Sequence, residues 1–380
     1  MKAPAFIARK LRFSGRLATA AIAVSFFVIV LSLSISVGFR SEIRRGVSDI
    51  SGDICMLGSE EPIPSQPSYY HKLEAVQGVE SITPVIWKPG IVKGADDICG
   101  VLVKGVPMPD SCSLQASIPR TLAQRLRISP GDSFTTYFIG EKVQARRFTA
   151  VSVYDGIMDG EGSLIVLVPL ADLQRLNGWD EGLAGALEVK LEPGFSGSAR
   201  SRIVADQLYI TSYGNCTEDE DILRTETAAQ RYPQLFDWLN LIDFNVLAII
   251  LLMTVVAGFN MISGLLILLF RNISTIGTLK SLGMTDRSIA RVFLRVAARI
   301  VLLGTVIGNG AAILFCLIQD WTHLIKLNPV NYFVSFVPVH VNIPLILAVD
   351  AAAFGVIMLL LLIPSLFIAR VDPAKTVRVQ

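Results

Sequence analysis

Few residues of this 380-residue chain are of types and spacings that could catalyse a reaction. The histidines are His71, His323 and His340, and they do not form the H-E-x-x-H pattern of a zinc peptidase. The sequence also lacks a G-x-S-x-G nucleophile turn and a G-x-x-x-x-G-K-[ST] phosphate loop. The motifs therefore predict a non-catalytic chain with no metal site and no cofactor of its own.

The apolar residues indicate a membrane protein. Hydrophobic residues make up 52% of the chain and charged residues 17%, and a helix needs roughly 20 apolar residues to cross a hydrocarbon core of about 30 Å. Runs of this length lie at 17–37, 246–270, 296–319 and 344–369. The first could be a signal peptide, because basic residues precede it, but it is longer than such regions and no small-x-small cleavage site follows. We expect four transmembrane helices.

Lysine and arginine counts in the short connecting segments predict the orientation. Residues 1–16 carry basic side chains and no acid, and basic residues also outnumber acids in 271–295 and 370–380. These segments are predicted to be cytoplasmic, with both termini inside. The segments 38–245 and 320–343 then lie outside. The outer stretch 38–245 holds 19 Lys/Arg against 28 Asp/Glu, so the excess basic charge flanks the spans and does not suggest nucleic-acid binding.

The long segment 38–245 is predicted to be an α+β domain inserted between transmembrane helices 1 and 2. Short runs rich in Val, Ile and Phe, bounded by Gly, Pro or Asp, predict strands, and two segments have apolar residues at helical spacing. At this length the domain can fold around its own core, as one or two lobes. The predicted strands are 98–106, 133–138, 148–153, 163–168 and 186–191, and the predicted helices are 169–176 and 199–209.

Two ionisable residues lie inside predicted spans, where charged side chains are costly and often functional. Arg299 is close to the inner end of its helix, so its side chain can reach the cytoplasmic interface. Asp350 is about 9 Å from Pro344 at helical rise. It could border a wet cavity, pair with a neighbour or reach the outer interface.

Cysteine placement leaves the redox state open. Cys55, Cys99, Cys112 and Cys216 fall in the predicted outer domain, where an oxidising compartment would permit disulfides, and Cys316 lies in the third span. Free thiols and a structural bridge are both compatible with these positions. The absence of a C-x-x-C spacing argues against a metal site.

Small residues in the spans predict close helix packing. Gly304 and Gly308 have small-xxx-small spacing in the third span, and Gly258 and Asn260 lie in the second. Packing within the chain and packing against a second permease subunit are both compatible with this pattern.

The predicted inner loop 271–295 contains a short amphipathic helix. Its apolar residues recur at helical spacing up to Gly283, and Thr285 or Asp286 can cap a second helix. An interfacial helix and a knob that fits a groove on a soluble partner would have the same pattern.

The segment 276–283 reads I-G-T-L-K-S-L-G and resembles the coupling helix of the FtsX/MacB/Lol superfamily of ABC transporter permeases, roughly I-x-x-L-[KR]-x-[LI]-G. Asn272 and Ser274 stand near positions where the family usually has acidic or paired charged residues. Further segments are similar and occur in the same order, and together they look like the lipoprotein-releasing (LolC/LolE-type) branch. These segments are 153–155, 168–175, 187–191, 257–263, 332–338 and 372–378.

The resemblance implies a multi-pass permease of a bacterial inner membrane. Two such permeases, identical or related, would be driven by a separate cytoplasmic ATPase that binds ATP and Mg²⁺. In the lipoprotein-releasing branch, the machine lifts an acylated lipoprotein from the membrane towards a periplasmic carrier. The residues that match the coupling helix, and are therefore predicted at the ATPase interface, are Ile276, Gly277, Leu279, Lys280, Leu282 and Gly283.

Three alternatives remain open at the level of sequence. The same fold could export a drug or a peptide, as in MacB-like permeases. It could instead move no cargo and signal across the membrane to activate a periplasmic hydrolase, as in FtsX-like proteins. A membrane anchor or receptor outside the ABC class is the third.

Overall fold

The computed structural model describes residues 16–94, 97–139, 143–155, 164–217, 220–328, 332 and 334–364. Four of its helices are long and apolar enough to cross a membrane: Arg16–Ser51, Pro233–Arg271, Asp286–Thr322 and Ile343–Pro364. An α+β region accompanies them, as the sequence predicted. Part of the segment 332–338 and all of 372–378 lie outside the described residues.

The elements are numbered here in chain order. The helices of the described residues are α1 (Arg16–Ser51), α2 (Tyr70–Glu74), α3 (Arg120–Leu126), α4 (Leu170–Asn177), α5 (Ser198–Asn215), α6 (Ala228–Arg231), α7 (Pro233–Arg271), α8 (Ile273–Ser281), α9 (Asp286–Thr322) and α10 (Ile343–Leu360). The strands are β1 (Ile54–Leu57), β2 (Ile63–Pro64), β3 (Val79–Lys93), β4 (Ile98–Val106), β5 (Gln115–Pro119), β6 (Ser133–Phe138), β7 (Gln144–Tyr154), β8 (Ile165–Pro169), β9 (Leu183–Ala184), β10 (Ala186–Leu191) and β11 (Arg224–Thr227).

Two of the long helices extend well beyond their apolar runs. Helix α1 continues to Ser51 because Ile43 and Val47, one turn apart, are fully buried and keep the helical pattern going. Helix α7 begins with Pro233, a residue favoured in the first helical turn, and buries Leu235 soon afterwards. Because these helices reach into the segment 38–245, its first strand begins only at Ile54 and its last strand ends at Thr227.

The chain divides into two compact units. The helical unit contains, among the described residues, 16–39, 239–325 and 337–364. A large apolar cluster in this unit is formed by residues of α1, α7, α8, α9 and α10. Ile22 and Phe26 of α1 are fully buried in this cluster. The α+β unit contains the described residues of 40–238 and 326–336.

Six strands of the α+β unit form a closed barrel. The second half of β3 pairs with β4, and the order continues through β8, β5 and β7 to β6. Strand β6 then pairs with β3 again, between Phe138 and Gly90 and between Thr135 and Lys93. Closure leaves no free sheet edge in this ring. Its interior is filled by apolar side chains, with α3 and α4 packed against it.

The first half of β3 belongs to a second sheet, in the order β11-β1-β10-β3. Helices α2 and α5 pack with this sheet around a second apolar core that includes Met56, Leu73 and Leu208. The α+β unit thus has two cores, joined by the long strand β3. This agrees with the two-lobe alternative predicted from length.

The pattern of strands was predicted in part. The predicted bounds of β4, β6 and β10 are confirmed, and the segments 148–153 and 163–168 correspond to parts of β7 and to β8. Helices α4 and α5 fall on the two segments predicted to be helical. Strand β3 was missed because Pro84 and Pro89 interrupt it, and proline normally argues against a central strand.

Candidate functional site

A short helix and a tight turn connect α7 to α9. Helix α8 ends at Ser281, and Gly283 then takes a φ of 85°, a left-handed conformation that glycine adopts without strain. The Gly283 amide donates to the Lys280 carbonyl at 2.9 Å, which closes the helix end. Thr285 is extended and forms the N-cap of α9. The sequence has a glycine where the turn needs one and an N-cap residue two positions later.

One face of α8 is packed against its own bundle. Ile276 is 1% exposed and lies in the apolar core with Leu268, Ile289 and Phe293. Gly277 is also buried. Removal of one Ile side chain's apolar area from water stabilises the packed state by about 1.5–3 kcal/mol. Ile276 therefore anchors the short helix to the ends of α7 and α9.

An ion pair fixes the far end of the short helix. Lys280 Nζ lies 2.8 Å from Asp286 Oδ1, and the Lys280 side chain is only 10% exposed. Asp286 is the first residue of α9, where a negative charge is also favourable to the helix dipole. Lys280 thus bridges the turn within the chain and does not project from it.

The opposite face of α8 is open. Ser274, Thr275, Thr278 and Ser281 are exposed there, and they are small or polar. Leu282 follows them and is 79% exposed, the one large apolar side chain at the exposed tip of the turn among the described residues. A small polar face that ends in a protruding leucine is suited to fit an apolar pocket of a soluble partner.

The structure divides the residues predicted at the ATPase interface into two sets. Leu282 and Gly283 are exposed at the turn, whereas Ile276, Gly277 and Lys280 face the bundle or are paired within it. The side chain of Leu279 lies outside the described residues. The roles of all six stay predictions, but only the exposed set is available for direct contact with a partner.

Glycines in the spans mark close approaches of helices. A Cβ on Gly304 would lie 2.6 Å from Ile22 Cγ2, and one on Gly308 would lie 2.4 Å from the Ala23 carbonyl oxygen. Both neighbours are on α1, so α1 and α9 are in backbone contact. Gly258 similarly faces Leu360, with a Cβ-to-Cδ1 distance of 2.6 Å. These contacts are made within one chain.

The other polar residues singled out in the spans have different surroundings. Asn260 and Arg299 are exposed on the surface of the helical unit. Asp350 is buried on α10, where its Oδ2 accepts a hydrogen bond from Asn309 Nδ2 of α9 at 2.5 Å. Of the three alternatives for Asp350, the structure therefore shows pairing with a neighbour.

The α+β unit contains a buried charged cluster that sequence reasoning missed. Lys104 on β4 and Glu188 on β10 form an ion pair at 2.5 Å with both side chains 6% exposed. Trp87 Nε1 donates to Glu188 Oε1 at 3.0 Å, and Lys104 Nζ also donates to the Ile50 carbonyl. Arg231 lies over the Trp87 ring, 4.8 Å from its centroid. The sequence signals were charged residues inside largely apolar strands: Lys104 in Ile98–Val106 and Glu188 in Ala186–Leu191.

Burial dominates the electrostatics of this cluster. Desolvation raises the pKa of Glu188 and lowers the pKa of Lys104, although their mutual attraction opposes both changes. Burial also raises the pKa of the neighbouring Cys55 thiol to about 11. Such a cluster needs each hydrogen bond in place, because an unpaired buried charge is strongly destabilising.

The described cysteines and carboxylates do not form a redox or metal centre. Cys55, Cys99, Cys112, Cys216 and Cys316 are free thiols. Within the described ranges, no three His, Cys, Asp or Glu side chains cluster closely enough to hold a metal ion. The two exposed elements of chemical interest are therefore the α8 turn and the surfaces of the spans.

Comparison with known proteins supports a permease. Residues 247–373 match the family described as FtsX-like permease C-terminal. The chain is 21% identical over 395 residues to the lipoprotein-releasing system transmembrane protein LolC of Xylella fastidiosa strain Temecula1, covering 94% of this chain and 92% of the relative. The same protein of strain 9a5c matches with the same identity and coverage.

Solved structures similar to this chain include domains of ABC transporters. The extracellular domain of the noncanonic ABC-type transporter YknZ from Gram-positive bacteria is 14% identical, with a TM-score of 0.28, and covers 46% of this chain and 98% of that one. The periplasmic region of MacB from Actinobacillus actinomycetemcomitans is 12% identical, with a TM-score of 0.32, and covers 50% and 94%.

The family match and the four apolar helices agree with each other. The chain is similar to membrane permeases of the FtsX-like family of ABC transporters. The resemblance to the FtsX/MacB/Lol superfamily that the motifs predicted is therefore confirmed.

Proposed function

We propose that this chain is the non-catalytic permease subunit of an ABC machine that extracts acylated lipoproteins from the inner membrane. A separate ATPase would bind on the cytoplasmic side and supply the energy. The feature that carries the coupling part of this proposal is the exposed α8 turn, where Leu282 projects from an anchored helix. The similarity to LolC along nearly the whole chain supports the choice of cargo.

The proposed orientation places 1–16, 271–295 and 370–380 in the cytoplasm and 38–245 with 320–343 on the outer side. It rests on the basic residues of the short segments. In this orientation the α8 turn faces the cytoplasm, where ATP is available. A second permease, identical or related, would complete the machine, and a periplasmic carrier would accept the lipoprotein.

The energetics of the cargo fit a driven process. An acyl chain buried in a membrane contributes about 0.8 kcal/mol for each CH₂ group. Removal of several chains at once is therefore strongly uphill without a motor. A permease without a nucleotide site of its own needs a partner to supply this free energy, which an ATPase bound at Leu282 and Gly283 would do.

Site-specific photocrosslinking from α1 tests the function. A photoreactive amino acid at Ser41, an exposed position of α1 just beyond the outer end of the first predicted span, is expected to crosslink an acylated lipoprotein in living cells. The same amino acid at Leu17, exposed at the opposite end of α1, is the matched control and is expected to capture none. A periplasmic hydrolase captured at Ser41 would favour signalling, and an unacylated peptide would favour export. Either result would contradict lipoprotein extraction.

A further inference from the structure

Two polar side chains meet inside the helical unit, away from the α8 turn. Asn309 of α9 donates from Nδ2 to Asp350 Oδ2 of α10 at 2.5 Å. Asp350 is only 7% exposed. Both residues lie within candidate membrane spans, where a charged or unpaired polar group is costly.

This pair has two oxygens without a donor. Asn309 Oδ1 and Asp350 Oδ1 are both buried and have no hydrogen-bond partner among the described residues. An ionised carboxylate only accepts hydrogen bonds, and so does an amide oxygen, so neither can satisfy the other. A buried acceptor left without a donor destabilises the packed state.

A single hydrogen would satisfy both oxygens. A protonated carboxyl has an O–H that can donate to an amide oxygen, while its other oxygen continues to accept from the amide N–H. Asp350 and Asn309 would then form a reciprocal acid–amide pair with two hydrogen bonds. The two unpartnered atoms are the ones that this arrangement requires.

Within the described parts of α1, α9 and α10, no basic side chain lies close in sequence to either residue of the pair. Helix α1 has no charged residue from Leu17 to Phe39, and α10 has none from Ile343 to Leu360 other than Asp350. On α9 the nearest charged residues are Arg299 and Asp320, each about 15 Å or more from Asn309 along the axis. The nearest titratable side chain on α9 is Cys316, two turns away.

Apolar side chains lie one turn from the pair on α9 and α10. Val30, Ala312 and Ile346, from α1, α9 and α10, form a buried cluster close in sequence to the pair. Asp243 of α7 accepts a hydrogen bond from Ser36 at 2.5 Å and is engaged there. The described residues thus favour a neutral carboxyl at Asp350.

We propose that Asp350 and Asn309 form a proton-binding site within the membrane spans, and that the bound proton fastens α9 to α10. When the proton leaves, the carboxylate keeps one donor in a largely apolar environment, so the helices must separate or admit water. This inference does not depend on the cargo or on the ATPase.

Three variants of the full-length protein in lipid nanodiscs test the proposal. Asp350→Asn has the shape of the neutral acid and can form two amide–amide hydrogen bonds with Asn309, so it is expected to keep the thermal midpoint of the wild type. The Asn309→Asp, Asp350→Asn double variant exchanges the two groups and should behave likewise. Asp350→Leu removes the pair and should lower the midpoint. The wild type, but not Asp350→Asn, should lose stability as the pH is raised.

Infrared spectroscopy gives a second readout on the wild type. The spectrum of protein labelled with ¹³C at the aspartate carboxyls is expected to contain a protonated-carboxyl C=O band that is absent in Asp350→Asn. Loss of stability or of folding in Asp350→Asn comparable to that in Asp350→Leu would overturn the proposal, as would absence of the band at neutral pH. A requirement for sodium, tested by exchange with choline, would show a metal-cation site and would also overturn it.

Discussion

Lys104 and Glu188 are a pair of opposite charges buried in the α+β unit, 84 residues apart in sequence. Removal of one partner from such a pair leaves the other charge without compensation. We expect Lys104→Ala to lower the free energy of unfolding by about 3–5 kcal/mol. Urea unfolding of the purified protein in detergent, followed by tryptophan fluorescence, would measure the loss.

The pH dependence of the same variant follows from Glu188. Burial raises the pKa of Glu188 in the folded state, so the folded chain binds this proton more tightly than the unfolded chain does. Stability from this group is therefore present at low pH and lost as the pH rises, and the loss in Lys104→Ala should increase with pH. A Lys104→Met, Glu188→Leu double variant that is as unstable as Lys104→Ala would contradict this account of the pair.

Cys55 is a second residue whose chemistry is controlled by burial. Its side chain is 1% exposed, and its pKa is raised to about 11, because the thiolate would lose its hydration. We expect Cys55 in the folded protein to resist maleimide between about pH 8 and pH 10, where thiolate is scarce. Mass spectrometry of labelled peptides is the measurement, and the partly exposed Cys216 is the internal control. Equal labelling of both cysteines in the folded protein would show that the site is open.

The sequence predicted the turn glycine and the N-cap residue after α8. It did not predict which side of α8 faces the bundle. The glycine and the N-cap follow from local backbone chemistry, which a short segment specifies. Which side of α8 faces the bundle depends on α7 and α9, and the inward position of Ile276 could not be read from its spacing alone. The Asn309–Asp350 and Lys104–Glu188 pairs join residues that are distant in sequence, so no local pattern indicates them.

Helix α9 contacts α1 through a glycine that has no room for a side chain. A Cβ at position 308 would approach the Ala23 carbonyl oxygen to 2.4 Å and Phe26 Cβ to 3.0 Å. We expect Gly308→Ala to force the two helices apart and to lower the free energy of unfolding by about 1–3 kcal/mol, the usual cost of overpacking. Thermal unfolding in nanodiscs is the measurement.

Gly310 on the same helix provides the matched control. No atom lies within 4 Å of the position its Cβ would take. Gly310→Ala is therefore expected to be neutral or slightly stabilising, since alanine favours a helix more than glycine does. Similar destabilisation by both substitutions would mean that the α1–α9 contact is not the cause.

At the scale of elements, hydropathy predicted the spans well because the membrane requires their length and composition. It did not predict where the helices end, since burial of Ile43 and Val47 by tertiary contacts extends α1. The strands with clear Gly, Pro or Asp limits were predicted, whereas the long strand β3 was hidden by its prolines. The barrel closes because β6 pairs with β3. The apolar periodicity within a single strand does not predict which distant strand it pairs with.

For the molecule as a whole, the resemblance to FtsX-like permeases could be predicted from the sequence, and the cargo is a proposal. The match of residues 247–373 to the FtsX-like permease C-terminal family agrees with the motifs that lie in that range. What a fold acts on is set by specific surfaces, which short motifs do not describe. The central claim for the whole machine is that the α8 turn binds an ATPase.

Substitution of Leu282 tests this claim most directly. Leu282→Arg places a charge on the exposed apolar tip, and Leu324→Arg, at another exposed leucine in the segment after α9, makes the same change elsewhere. We expect Leu282→Arg to reduce ATPase binding by about tenfold or more, equivalent to about 1.4 kcal/mol, and to abolish stimulated ATP hydrolysis in reconstituted membranes. Leu324→Arg should retain both activities. Wild-type binding and hydrolysis in Leu282→Arg would contradict the proposed coupling site.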